Sequence, residues 1–251
     1  MITPHLKVVG IFQTNCWVIE SGEDALCAVV DPGFSPRKIW QMVQQLQLKV
    51  KFILLTHGHM DHTLGVRYLR RKSKAPCLMH PADRPYQWRW FNFAAPKCVP
   101  VEDGQSLKLG GAEIKVIHTP GHSPGSVSYL VNNFLFSGDL LFADGIGRWD
   151  LAGGSFREIV KSLKEKLGPL PDSVEIMPGH GPVTTLGIER SRNPILGSEL
   201  QNSAILGSSM KGQVKRRSSP QGLFQVFDLE GRSVPATLIP TGSRENELDR
   251  T

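Results

Sequence analysis

The run Phe52-Ile53-Leu54-Leu55-Thr56-His57-Gly58-His59-Met60-Asp61-His62 decides how the rest of the chain is read. Four apolar residues make a short buried strand that opens directly into a polar segment. Within six residues, His57, His59, Asp61 and His62 offer three imidazoles and a carboxylate. A loop leaving a strand end can turn all four toward one point. Imidazole nitrogen and carboxylate oxygen are good ligands for zinc, and for iron or manganese. The segment is polar and carries a glycine, so it is poorly suited to a core.

Three more side chains sit at comparable places. His122 lies in Thr119-Pro120-Gly121-His122-Ser123-Pro124-Gly125, Asp139 in Ser137-Gly138-Asp139, and His180 in Pro178-Gly179-His180-Gly181. Each follows an apolar strand: Glu113–His118, Phe134–Phe136 and Val174–Met177. Each is flanked by glycine or proline, which set sharp turns and permit close backbone approach. Four loops from four strand ends can therefore converge on one rim.

Around these strands the chain alternates strand-like and helix-like segments. Val8–Phe12, Cys16–Glu20 and Leu26–Asp31 read as strands, closed by Asp31-Pro32-Gly33. Ser35 and Pro36 read as the N-cap and first turn of a helix through about Gln47. A helix is expected from about Thr63 to Lys72, and an aromatic-rich helical segment over Pro81–Phe93. Ser155–Leu167 starts with Ser155 three residues ahead of Glu158, a capping box. Strands followed by helices in two halves imply two packed sheets covered by helices. Beyond Asn193-Pro194 the composition turns to Ser, Gly, Gln and Arg. Residues 198–251 read as a flexible tail with room for one small hairpin.

The whole is 251 residues with 40% hydrophobic content, enough for one large domain and a tail. The net charge of +6 is mild and gives no footprint for nucleic acid. No apolar stretch nears the roughly 20 residues of a membrane span, so no membrane is expected. The start lacks a basic segment followed by an apolar one, which points to the cytoplasm. The four cysteines, Cys16, Cys27, Cys77 and Cys98, form no C-x-x-C pair and read as buried free thiols. His118 reads as a satisfied structural histidine and His80 as a cap or loop residue.

H-x-H-x-D-H, the later His in T-P-G-H-S-P-G, the Asp in S-G-D and the His in P-G-H-G together resemble the metallo-β-lactamase superfamily over residues 1–197. The resemblance implies an α+β fold, a four-layer αββα sandwich of the metallo-β-lactamase type, with a site for two metal ions, zinc or alternatively iron or manganese. By motif position, His57, His59 and His122 would hold the first ion. Asp61, His62 and His180 would hold the second, and Asp139 would bridge them. Gly138–Phe142, Gly145–Asp150, Gly153-Gly154-Ser155 and Arg192-Asn193-Pro194 look like the compact bacterial type of the glyoxalase II-related hydrolases. That implies a small-molecule thioester substrate such as S-lactoylglutathione, with Asp61 and Asp139 serving the catalysis.

The sequence departs from the larger glyoxalase II enzymes in two places. Their helical C-terminal domain does not resemble residues 198–251, and their Lys and Tyr after the bridging Asp are replaced by Gly147-Arg148-Trp149-Asp150. Arg148 could meet a substrate carboxylate or pair with Asp150. Two other implied readings are a mono-iron persulfide dioxygenase, built on His57, His59, His122 and Asp139, and a non-catalytic metal-binding scaffold. The residues do not indicate an oligomeric state. Deleting residues 198–251 should leave most catalytic activity of the remaining chain, as measured on purified truncated protein; loss of solubility or activity would show that the tail belongs to the core.

Overall fold

Strand alternation sorts the apolar residues onto opposite faces. In the strand Thr14–Ser21 (β2), Trp17 and Ile19 enter one core cluster while Cys16 and Val18 enter another. In Leu26–Val30 (β3), Ala28 and Val30 join the first cluster and Cys27 and Val29 the second. Strands buried on both faces carry continuous apolar runs rather than an alternating pattern. The computed structural model describes residues 1–22, 24–86, 97–193 and 195–196, together with three short strands in the tail.

The first sheet runs β1-β2-β3-β4-β5-β6, with β1 Ile2–Val9, β4 Lys49–Leu54, β5 Cys77–Met79 and β6 Val99–Pro100. Strands β1 to β3 are antiparallel, and β3 to β6 are parallel. The second sheet runs β14-β13-β10-β9-β8-β7. Its members are β7 Ser106–Leu109, β8 Ala112–His118, β9 Val127–Val131, β10 Phe134–Gly138, β13 Glu175–Pro178 and β14 Thr184–Thr185. Leu141–Phe142 (β11) and Gly145–Ile146 (β12) form a separate small hairpin.

Between the sheets lie Trp17, Ile19, Val30 and Leu54 on one side and Val116, Tyr129, Phe136 and Met177 on the other. The outer face of the first sheet is covered by α1 Pro36–Gln45, through Ile39 and Val43, and by α3 Val66–Ser73, through Val66 and Leu69. The outer face of the second is covered by α4 Phe156–Lys161 and the π-helical turn Ser162–Leu167, through Ile159, Leu163 and Leu167. The order is therefore helix, sheet, sheet, helix. Each apolar side chain so buried is worth about 1.5–3 kcal/mol. No helix among the described residues is long and apolar enough to cross a membrane.

Several local expectations change. The first strand is Ile2–Val9, and Gly10–Gln13 is the hairpin turn into β2, so Val8–Phe12 is not a strand. As an edge strand β1 tolerates Pro4. Ser35 does not cap α1 through its side chain: its backbone is left-handed, at φ 58°. The helix expected from Thr63 is two pieces, α2 Met60–Thr63 and α3, parted at Gly65. A Cβ at Gly65 would stand 2.5 Å from the Pro32 carbonyl, so the chain must stay bare there. Ser155 does accept the Glu158 N–H, at 3.3 Å, and α5 (Leu186–Arg192) is capped the same way by Thr185. The 3₁₀ turn Pro81–Tyr86 replaces the start of the aromatic helical segment, and Trp88, Trp90, Phe91 and Phe93 lie outside the described residues. In the tail, Phe224–Phe227 pairs antiparallel with both Ser233–Val234 and Lys215–Ser218. The reading of the remainder of residues 198–251 as flexible lies outside the described residues.

The cysteines divide. Cys16 and Cys27 are free and buried, but Cys77 and Cys98 form a disulfide across 21 residues. The reading of all four as buried free thiols therefore holds for Cys16 and Cys27 and fails for Cys77 and Cys98. Closing a loop of this length stabilises a fold by about 3 kcal/mol in the chain-entropy account. Unfolded, unreduced protein should therefore titrate two thiols, rising to four after reduction, and the Cys77→Ala/Cys98→Ala variant should melt several degrees lower. Four thiols before reduction would contradict the pairing.

Candidate metal centre

The four strand ends do meet. His57 follows β4, His122 follows β8, Asp139 follows β10 and His180 follows β13. Asp61 and His62 stand in the first turn of α2 rather than on a loop. The ring nitrogens of His57, His59 and His122 lie within 4.8 Å of one another, as do the ligand atoms of Asp61, His62 and His180. Asp139 stands between the two groups. Its Oδ1 is 3.5 Å from His62 Nε2, and its Oδ2 is 3.6 Å from both His122 Nε2 and His180 Nε2.

The outward nitrogens of four of these histidines are committed elsewhere. His122 Nδ1 donates to the Arg148 carbonyl at 2.7 Å, and His180 Nδ1 donates to the Phe12 carbonyl at 3.0 Å. A carbonyl can only accept, so each ring carries a proton on Nδ1 and presents Nε2 inward as the atom a cation could meet. His62 Nδ1 faces Asp31 Oδ2 at 2.9 Å. Asp31 also accepts the Thr56 amide at 2.8 Å and the Thr56 hydroxyl at 2.6 Å. With its proton spent on Asp31, the Thr56 oxygen accepts from His57 Nδ1 at 3.0 Å. His57 Nε2 is thereby left as a lone pair, and it is buried with no hydrogen-bond partner. Asp139 Oδ1 is likewise buried and unpartnered.

Such orphaned acceptors are costly unless something positive sits among them. Other ligand-type nitrogens crowd the same space: His59 Nδ1 is 2.8 Å from His122 Nε2, and His62 Nε2 is 3.3 Å from His180 Nε2. The donor set of imidazoles and carboxylates fits two divalent cations of borderline character.

The electrostatics agree. Burial, helped by the neighbouring His62, His122 and His59, drives His57 well below the usual imidazole range. Burial and His122 lower His59 to about 3. For Asp61, burial acts upward, but His62 and hydrogen bonds from His180 and His62 outweigh it and hold the carboxyl well down. Asp139 is lowered too, with His180, His62 and His122 outweighing burial. His62 and His180 move the other way: burial opposes their charge, but Asp61 and Asp139, with Asp31 for His62, raise both. Both directions mean that this corner favours positive charge, from a proton or from a metal ion.

Residues not singled out in the sequence hold the ligands in place. Thr14 donates its hydroxyl to Asp61 Oδ2 at 3.1 Å. Asn15 donates to the carbonyls of Pro178 and Gly181, at 3.0 and 2.8 Å, and Trp17 Nε1 donates to Pro178. The β1–β2 hairpin thus ties down the His180 loop. Arg148 directs its guanidinium to Asp150 through two bonds of 3.0 and 3.1 Å, and what it offers His122 is its carbonyl. His118 bonds the Pro124 carbonyl and stacks on His80, whose Nδ1 accepts the Ala82 N–H.

The model of the metallo-beta-lactamase superfamily matches residues 9–180. The hydroxyacylglutathione hydrolase GloC of Haemophilus influenzae is 34% identical over 214 residues, covering 76% of this chain and 96% of that protein. The solved structure of TTHA1623 in a di-iron-bound form is 37% identical with a TM-score of 0.67, covering 76% of this chain and 100% of its own. ETHE1 from Myxococcus xanthus is 28% identical with a TM-score of 0.69, covering 78% and 85%.

Gly179 leaves the room this geometry needs. A Cβ there would stand 2.2 Å from Asp139 Oδ1 and 2.8 Å from His62 Cε1. Gly179→Ala should weaken metal retention by about ten-fold or more against a competing chelator. Retention equal to the parent would show that the centre tolerates a displaced Asp139.

Proposed function

Since the chain belongs to the metallo-β-lactamase superfamily, we propose that it is a metal-dependent thioester hydrolase of the glyoxalase II-like kind. The observation that carries this reading is Asp139 standing between two ligand groups, with its buried Oδ1 unpartnered. His57, His59 and His122 would hold one ion and Asp61, His62 and His180 the other, with the Asp139 carboxylate lying between the two groups. Zinc suits these ligands, and the di-iron relative supports iron as an alternative. The GloC relative, named for a glutathione thioester, supports the substrate class. The substrate is taken to be a small molecule rather than nucleic acid, in keeping with the mild charge.

Once bound, the ions would supply hydroxide near neutral pH and offset the negative charge that grows on the carbonyl oxygen. The chain's own contribution is orientation. Thr14 fixes the Asp61 carboxylate, whose remaining lone pairs can align the attacking water. Asp31 and Thr56 keep His62 and His57 in one tautomer, so neither ring competes for that water as a donor. The water gives up a proton, its oxygen bonds to the acyl carbon, the carbon–sulfur bond breaks, and the sulfur leaves as a thiolate that takes up the released proton. A thiolate is stable enough that no strong general acid is demanded.

A mono-iron dioxygenase needs only His57, His59, His122 and Asp139. It leaves the Asp61, His62 and His180 corner without work, and that corner is as closely gathered as the first. Purified protein assayed on S-lactoylglutathione and other acyl thioesters should release thiol with about two metal ions bound per chain. Asp139→Ala and His59→Ala should abolish turnover while leaving the circular dichroism spectrum unchanged. One iron per chain with oxygen uptake and no thiol release would replace this reading with the oxygenase, and metal binding without turnover would favour the scaffold.

A further inference from the structure

Asp83 lies in the 3₁₀ turn Pro81–Tyr86, is 0% exposed, and is not one of the side chains gathered at the centre. Its carboxylate nonetheless collects three donors from the two loops that carry the three-histidine corner. Oδ2 accepts the Gly58 N–H at 2.7 Å and the Ser123 hydroxyl at 2.7 Å. Oδ1 accepts the Gly125 N–H at 2.5 Å. Gly58 sits between His57 and His59, Ser123 directly follows His122, and Gly125 closes the same turn. One buried carboxylate therefore bolts the His57–His59 backbone to the His122 backbone.

Two features indicate that the arrangement serves this purpose. At Gly125 a Cβ would stand 2.6 Å from both Asp83 N and Asp83 Oδ1, so the bare backbone is what lets the loop reach the carboxylate. The turn carrying Asp83 is itself anchored, lying between the disulfide partners Cys77 and Cys98. A buried anion with three hydrogen bonds is strongly directional, because a buried donor left without its acceptor is costly. The Asp61, His62 and His180 corner receives no bond from Asp83; it is held by Thr14, Asp31 and Phe12.

We propose that Asp83 is the positioning residue of the three-histidine corner, setting the spacing of His57, His59 and His122 through their backbones and leaving the other corner to separate supports. The inference rests on the metal-binding reading above and extends it from ligands to the group that aligns them. It separates the two corners: loss of the Asp83 carboxylate should weaken one ion and spare the other.

The experiment titrates the metal-depleted full chain with cobalt(II), following visible absorption and bound metal. Wild type should take up two ions. Asp83→Asn keeps the shape but turns an amide donor toward an N–H or hydroxyl donor. It should bind one ion as wild type does and the second about 10–100-fold more weakly. Arg84→Ala, a neighbour whose side chain is exposed and bonds the Cys98 carbonyl, should leave both steps unchanged. If Asp83→Asn does not fold, Ser123→Ala removes one of the three donors and should weaken the same single step by a smaller factor. Two wild-type steps in the folded variant, or equal weakening of both steps, overturns the inference while leaving the metal reading intact. Wild type that binds no cobalt overturns both.

Discussion

Everything at the rim depends on where four imidazole protons are. The Arg148 and Phe12 carbonyls, the Asp31 carboxylate and the Thr56 hydroxyl each engage an outward ring nitrogen. The inward nitrogens then face one another, and Asp61 and Asp139, at 2.8 to 3.6 Å. Donor atoms gathered so closely require positive charge among them, from ring protons or from a metal ion. The two-sheet core holds that set together.

The supports are distributed by corner. The β1–β2 hairpin grips the His180 loop through Asn15 and Trp17, and steadies Asp61 through Thr14. Asp31, at the end of β3, serves the His57–His62 segment, and Asp83 joins that segment to the His122 loop. Where backbones must come closest, side chains are missing. A Cβ at Gly147 would stand 1.7 Å from the Asp139 carbonyl, and one at Gly138, at φ 53°, would meet the Thr56 side chain.

The side chains that gather at the rim and the layer order were legible because imidazoles and carboxylates are chemically distinctive and each group follows an apolar strand. His57, His59, Asp61, His62, His122, Asp139 and His180 all reach the centre. The supports were not legible, because their partners are distant in the chain. Asp31 serves a residue 31 positions on, and Asp83 one 42 positions on. In the sequence Asp31 is only the start of a turn, and Asp83 has no distinguishing neighbour. Phe12 and Arg148 act through carbonyls, which leave no mark on residue type. Cys77 and Cys98 lacked a spacing motif, so only tertiary structure could join them. The helix after His62 was misplaced for a similar reason. The interruption at Gly65 is set by Pro32, which lies 33 residues earlier and bonds the Gly65 amide at 2.7 Å.

The most direct test is anomalous diffraction from crystals of metal-loaded protein. Two peaks are expected, one among His57, His59 and His122 and one among Asp61, His62 and His180, with Asp139 reaching both. A single peak with Asp61 and His180 turned away from it, or no peak among these side chains, would contradict the account.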